Sequence, residues 1–379
     1  MDRKLASVQK IIKLEPIPNA DSIEKATVLG WECVVKKGEF KEGDLCVYIE
    51  VDSIVPDLPD FEFLRDRKFR VRTIKLRKQV SQGLVMPLSI IKGLYPIGFE
   101  HIKKEDYSYI KEGEDLTELL KIKKYDPEGD AERAMIERTE SIKRSRVDKF
   151  FRRYEWYRHI FSKNKPSKRF PHFIHKTDED RIQLFPHICE KEKGVTFLYT
   201  EKIDGQSATY ALLKNRKRYW EIWKPEYLFI VCSRNIHLRR PDNSSYWRIA
   251  KQYKIEEVLK SLILKDEFII LQGEIIGEGI RDNKYKIKGV DFYAFNLIRP
   301  PYTHSMPNVI SSILEVYGIK WVPILSSCCL KDSIPEMVDF SKGKSLIADT
   351  PREGIVVRNY KKGLSFKVIN PDFLLHYGE

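Results

Sequence analysis

Between residues 199 and 207 a strand-like run, Tyr199-Thr200-Glu201-Lys202-Ile203, carries a lysine near its end and passes at once into Asp204-Gly205-Gln206-Ser207. Asp-Gly is a tight-turn pair, because glycine reaches backbone angles that other residues avoid. The lysine is therefore expected where a strand ends and the chain turns. Charged and aromatic residues recur in order after it: Ser233-Arg234-Asn235, Gly273-Glu274, Phe292-Tyr293-Ala294-Phe295, Glu353-Gly354-Ile355-Val356-Val357 and Ser365-Phe366-Lys367. Arg234, Glu274, Phe295, Glu353 and Lys367 lie 32, 72, 93, 151 and 165 residues beyond Lys202, within the span of one domain. Strand patterns dominate that span, mixed with helices expected near 255–264 and 309–317, so it reads as α+β.

These residue types suit nucleotidyl chemistry. A lysine amine attacks phosphorus only when unprotonated, and its ordinary pKa near 10.4 leaves almost none free at neutral pH. Its surroundings are expected to lower that value, through a nearby divalent cation and a second cation such as Lys367. Asp204, Glu274 and Glu353 offer hard oxygen ligands for Mg2+ or Mn2+, directly or through water. Arg234 presents a forked donor to ribose or phosphate oxygens, and Phe295 a flat face to a nucleobase.

The rest of the 379-residue chain bounds the setting. Lys and Arg number 68 against 55 Asp and Glu, a formal charge of +13 that favours polyanionic partners such as nucleic acid. No apolar run approaches the ~18 residues of a membrane span, and the first residues lack a signal-peptide core. The protein is expected to be soluble, intracellular and cytoplasmic by default, with no membrane partner. Six cysteines form no C-x-x-C pair, and His172, His175, His187 and Cys189 lack the paired spacing of a zinc site.

Residues 1–100 read as short strands punctuated by Gly38, Gly43-Asp44, Pro56, Pro59 and Gly83, the pattern of a small OB-type barrel. Leu45–Val51 alternates as a half-buried strand, and Phe69–Lys78 interleaves basic and apolar residues as a strand with one positive face would. Residues 101–168 read as a charged, partly helical connector, with a long helix from Pro127 or Ala131. Within it and just beyond, Ser141–Phe170 mixes cations with aromatics, which suits either a nucleic-acid surface or a helix packed on a neighbour. Residues 169–379 form the α+β part. Gly343-Lys344-Ser345 fails as a phosphate loop, because Val338 stands where a glycine is needed.

The ordered series resembles motifs I, Ia, III, IIIa, IV and V of the covalent nucleotidyltransferases, the ATP-dependent ligases and mRNA capping enzymes. Ligases of DNA and capping enzymes carry an OB domain after motif V, whereas this sequence runs only twelve residues past Lys367. Pro18-Asn19-Ala20-Asp21, Gly43-Asp44-Leu45-Cys46-Val47-Tyr48-Ile49, Ser81-Gln82-Gly83-Leu84 and Lys176-Thr177-Asp178-Glu179-Asp180-Arg181-Ile182-Gln183 resemble instead the Deinococcus-type RNA ligases, whose OB domain comes first. The resemblance covers about residues 1–100 and 170–379.

It implies a multidomain protein with an N-terminal all-β OB-fold barrel that binds nucleic acid. An α+β nucleotidyltransferase (ATP-grasp-like ligase) domain would follow it. It implies that Lys202 forms lysyl-AMP from ATP, with Glu201, Arg234, Glu274, Phe295 and Lys367 also in the ATP site. Glu274 would meet the ribose and Phe295 the adenine, while Arg234 and Lys367 hold phosphates. Asp204, Glu274 and Glu353 would engage Mg2+ or Mn2+ through water, with Asp204, Glu353 and Lys367 serving catalysis beside Lys202. The implied reaction seals 3′-hydroxyl and 5′-phosphate RNA ends at template-held nicks in RNA repair. The partner would be a nicked duplex with RNA on the 3′-hydroxyl side, bound by a monomer. Ile369 stands where relatives often place a second motif V lysine, and Arg358 is a candidate substitute. A DNA ligase, a capping-type enzyme, or a non-catalytic nucleic-acid-binding protein with a relic transferase domain are the alternatives.

Overall fold

The computed structural model describes residues 4–91, 110–126, 129, 167–215, 225–238, 243–263, 267–300, 303–304 and 307–378. The expected connector helix and nearly all of the basic, aromatic stretch from Ser141 lie outside those residues.

The N-terminal part is built on Ala6–Pro16, a strand long enough to serve two neighbours. Its first half pairs antiparallel with Leu45–Ile49 and its second half with Ile23–Val28. A register shift between Ile11 and Lys13 bends it between the two partners. Trp31–Lys36 and Leu84–Pro87 complete a five-stranded sheet at its two edges.

Leu45–Ile49 is more buried than its alternation implied. Cys46 and Tyr48 pack with Ala26, Val28 and Trp31, while Val47 and Ile49 pack with Phe61, Leu64, Leu116 and Leu120. The second layer comes from the turn Pro59–Arg67 and from residues 110–122, so this core draws on chain beyond residue 100. Phe69–Lys78 is not one continuous strand. Lys68 and Phe69 take left-handed backbone angles (φ 52° and 57°), and only Ile74–Leu76 is strand, paired with Gln79–Ser81. Arg70 meets Asp52 at 2.7 Å and Arg72 donates to the Gly378 carbonyl at 3.1 Å, so these cations are spent on internal contacts.

The C-terminal part holds two sheets. The larger places Gln206–Lys214 between Tyr227–Cys232 and Phe268–Gly277, with Val290–Arg299 beyond. Helices Ser245–Gln252, Ile255–Leu262 and Pro307–Val316 cover one of its faces, where Tyr210, Leu212, Leu271, Phe292 and Leu314 are buried. The amphipathic spacing that suggested two of these helices reflects this one-sided packing. The smaller sheet runs Ile324–Cys329, Thr196–Lys202, Gly354–Asn359, Leu364–Ile369, all antiparallel. Its outer face is sealed by Phe197, Tyr199, Val357, Phe366 and Met337.

The Asp204-Gly205 turn is where the chain leaves the small sheet for the large one. A side chain at Gly205 would come within 2.3 Å of the Ile275 carbonyl, so the turn can lie this close to Phe268–Gly277 only with glycine. Arg181 joins the two halves of the molecule. Its guanidinium is 3.3 Å from Asp52 and lies over the Trp31 ring at 5.3 Å. Among the described residues no helix is long and apolar enough to cross a membrane.

Gly83 takes φ +98°, and a Cβ there would meet the Tyr48 ring at 2.5 Å and the Ile49 carbonyl at 2.9 Å. Gly83→Ala is expected to destabilise the protein by about 2 kcal/mol through strain and overpacking. Urea denaturation checks this, and a loss under about 0.5 kcal/mol contradicts the packing described.

Candidate active site

Lys202 closes its strand opposite Gly354 in the neighbouring strand, which puts Glu353 beside it. Lys202 Nζ donates to Glu353 Oε1 at 2.5 Å, and both side chains are largely buried. Glu274 enters from the large sheet, where Ser207, just past the turn, is its cross-strand partner. The cleft thus gathers Lys202 with carboxylates from two sheets.

In the free protein the electrostatics favour the charged lysine. Desolvation pulls the Lys202 ammonium down, but Glu353, Glu274 and Asp204 outweigh it and hold the amine above its ordinary value. Burial, reinforced by Glu353 and Asp204 and opposed by Lys202, pushes the Glu274 carboxyl up to about 8. A crowd of carboxylates in a low-dielectric cleft repels itself, and that repulsion is what a cation relieves.

Asp204 is buried and already held. Lys284 Nζ lies 2.6 Å from its Oδ2, Arg281 lies 3.6 Å from its Oδ1, and its backbone amide donates to the Tyr285 hydroxyl at 2.9 Å. The Lys284 ammonium also faces the rings of Phe373 and Tyr377 in the helix Pro371–Tyr377, each at 4.8 Å. Glu201, next to the lysine, is 1% exposed, and its oxygens accept from Ser345 Oγ at 2.5 Å and the Leu346 amide at 2.8 Å. Burial pushes its carboxyl up, opposed by those two donors.

Arg234 is bound to Asp178 at 2.6 and 2.7 Å. Burial pushes the Asp178 carboxyl up, but Arg234, Lys367 and Lys124 prevail and bring it down to about 2. Lys367 stands in the strand Leu364–Ile369 opposite Val356, and its backbone amide donates to the Asp180 carbonyl. Phe295 is half-buried against Ile203, Tyr285 and Val322. Arg358, the candidate substitute for the lysine absent at Ile369, is turned inward. It pairs with Glu179 at 2.9 Å and donates to the Phe295 carbonyl at 3.1 Å. Ile369 itself packs with Phe373 and Leu374. Between the sheets, bordered by Asp178, Gln272, Asn296, Arg358 and Ser365, lies a cavity of about 330 Å³.

Lys202, Glu353, Glu274 and Asp204 are therefore brought together, Arg234 and Lys367 share Asp178, and Glu201 is engaged by a loop. Asp178 and Arg181 lie in the segment 176–183, but their sequence context gave them no role. Ser345 was read only within a string that fails as a phosphate loop, and Lys284 gave no sequence signal, being a lone residue in a polar segment. Among the described residues no three His, Cys, Asp or Glu side chains form a direct metal cage. The hard-oxygen set of Glu353, Glu274 and Asp204 fits Mg2+ or Mn2+ held through water.

An OB-fold domain profile matches residues 5–88 and an RNA ligase profile matches residues 195–369. No curated protein matches the chain. Among solved structures, an RNA ligase variant from Naegleria gruberi with AMP and Mn is 30% identical, with a TM-score of 0.74. A second variant of that ligase with ATP and Mn has the same identity and score, and the ligase with pyrophosphate is 31% identical at 0.73. Each alignment covers 98% of this chain and 98% of the other.

Asp178 sits among the cations Arg234, Lys367 and Lys124, where an added anion would compete with its carboxylate. Asp178→Asn is expected to tighten binding of inorganic pyrophosphate about fivefold by removing a competing carboxylate. Calorimetric titration reads this directly, and unchanged or weaker binding shows that Asp178 does not compete.

Proposed function

The chain belongs to the RNA ligase family, and from that premise we propose that it seals RNA ends with ATP through a covalent AMP adduct on Lys202. The observation that carries the reading is the convergence of Glu353, Glu274 and Asp204 on a buried strand-end lysine. In the first step Lys202 Nζ bonds to the α-phosphorus of ATP and the bond to the bridging oxygen breaks, releasing pyrophosphate. AMP then passes to the 5′-phosphate of RNA, which frees Lys202. The 3′-hydroxyl finally attacks that phosphate, forming the phosphodiester and expelling AMP.

Each protein group has a defined task in that sequence. Lys202 is held as an ammonium by Glu353, so it must lose a proton before it can attack. Drawing the charge of Glu353, Glu274 and Asp204 away from Nζ weakens the attraction that opposes desolvation, which favours the neutral amine. Glu353 and Glu274, with Asp204 behind them, would hold the divalent cation through water. Bound there, the cation would neutralise phosphate charge and draw the carboxylates from Lys202. Arg234, released from Asp178, and Lys367 would hold phosphates, and Phe295 would stack on adenine. Charge stays on phosphate oxygens throughout, so fixed cations do most of the stabilising.

The N-terminal barrel and the cleft together suit a duplex held at a nick, in the service of RNA repair. An A-form segment on the 3′-hydroxyl side offers ribose 2′-hydroxyls that deoxyribose lacks. The 5′-phosphate strand is needed mainly for its phosphate. The protein acts as a monomer in this reading.

Incubation with labelled ATP and Mn2+, followed by denaturing electrophoresis, tests the chemistry. Wild type should carry acid-labile, base-stable label. Lys202→Ala and Lys202→Arg should carry none, since a guanidinium stays protonated. Label that survives in either variant, or in wild type with excess chelator, contradicts the assignment.

Nicked duplexes that differ only in the sugars flanking the break test the substrate. Sealing should require ribonucleotides at the 3′-hydroxyl side and fall steeply with salt, as phosphate contacts release counterions. An all-DNA nick sealed equally fast would favour a DNA-joining enzyme.

A further inference from the structure

The loop after the helix Ile334–Ser341 contains the Gly343-Lys344-Ser345 string that fails as a phosphate loop. Its two limbs are tied to each other. The Ser345 amide donates to the Thr350 carbonyl at 2.8 Å, and the Arg352 amide donates to the Gly343 carbonyl at 2.9 Å. The Arg352 guanidinium closes the base by donating to the Ser341 carbonyl at 3.0 Å. At the far end Ile347 and Ala348 pack on Ile203, Ile276, Tyr285 and Val322, the same cluster that seats Phe295. The loop then leads directly into Glu353.

The link between this loop and the nucleophile strand is Glu201. Its carboxylate is fully buried, Ser345 Oγ lies 2.5 Å from Oε1, and the Leu346 amide lies 2.8 Å from Oε2. Removing a carboxylate from water is costly unless donors meet it, and here each oxygen has one. A nucleotide amino group would have to compete with both.

We propose that Glu201 is a positioning residue that fixes the 342–352 loop, and through Ile347 and Ala348 the seat of Phe295, without touching the nucleotide. This rests on the reading that Lys202 takes AMP from ATP. The effect reaches the nucleotide through packing, so Ser345 shares the role although it lies 144 residues away in sequence.

Single-turnover adenylylation of wild type, Glu201→Ala, Glu201→Gln, Ser345→Ala and the Glu201→Ala/Ser345→Ala double variant tests this. Each protein is given ATP or purine riboside triphosphate, which lacks the 6-amino group. Glu201→Ala and Ser345→Ala should each raise the ATP concentration for half-maximal rate about five- to tenfold, as for the loss of one such hydrogen bond. The maximal rate should change less than about threefold. The double variant should be no worse than Glu201→Ala, because both substitutions break one contact. Glu201→Gln should restore most of the lost affinity, since its amide can accept from Leu346 and donate to Ser345 Oγ.

The preference for ATP over the analogue should stay the same in all of them. Normal ATP affinity in Ser345→Ala alongside a defect in Glu201→Ala overturns the proposal, as does a loss of ATP preference confined to the Glu201 variants. Circular dichroism reports folding. If Glu201→Ala unfolds, Ser345→Ala and Glu201→Gln decide the matter by the same criteria. A wild type that takes no label from ATP refutes the ligase reading instead, which is a separate outcome.

Discussion

The contact between Lys202 and Glu353 depends on two neighbouring strands ending at the same level. In the proposed reaction it is also where attack is held in check. A lysine buried without counter-charge loses its proton, and one surrounded by carboxylates keeps it. Here the carboxylates prevail, with Glu353 at 2.5 Å and Glu274 and Asp204 adding to it. In the free protein these charges favour the ammonium form of Lys202, which in the proposed reaction cannot attack. The same charges that silence the lysine are those that would attract a divalent cation, so substrate binding and activation draw on one set of groups.

The fold makes this arrangement by passing the chain from one sheet to the other immediately after the lysine. The Asp204-Gly205 turn sits against Phe268–Gly277, which brings Glu274 to the strand end without a long connection. Asp204 is fixed from behind by Lys284, whose ammonium is enclosed by Phe373 and Tyr377. The N-terminal barrel is tied in through Arg181 and Asp52, and Arg181 is also bridged through its backbone to Lys367. Barrel and cleft are thus connected by a buried cation rather than by surface contacts alone.

The strand-end lysine, the turn and the α+β character were legible because local periodicity and turn chemistry encode them. Leu45–Ile49 was read as half-buried because alternation alone does not reveal the second layer supplied by 59–67 and 110–122. Phe69–Lys78 was misread because the interleaving of charge and apolar residues matched a strand. In the fold Arg70 and Arg72 are drawn to Asp52 and the Gly378 carbonyl instead. The raised Lys202 pKa of the free protein was illegible for a related reason. Residue types identify which groups gather, whereas the sign depends on which of them stand closest. Lys284, Ser345 and Asp178 acquire meaning only through partners 80, 144 and 56 residues away.

The central claim is that the chain's own charges keep Lys202 protonated until nucleotide and metal arrive. Side-chain NMR of isotope-labelled lysine, assigned by Lys202→Arg, tests it most directly. The free protein should show a Lys202 ammonium that titrates above the ordinary value of about 10.4. Addition of Mg2+ with a non-hydrolysable ATP analogue should lower that titration by at least about one unit, the equivalent of roughly 1.4 kcal/mol. A Lys202 that is already neutral near pH 7 in the free protein, or one whose titration does not move on adding both ligands, would contradict the account.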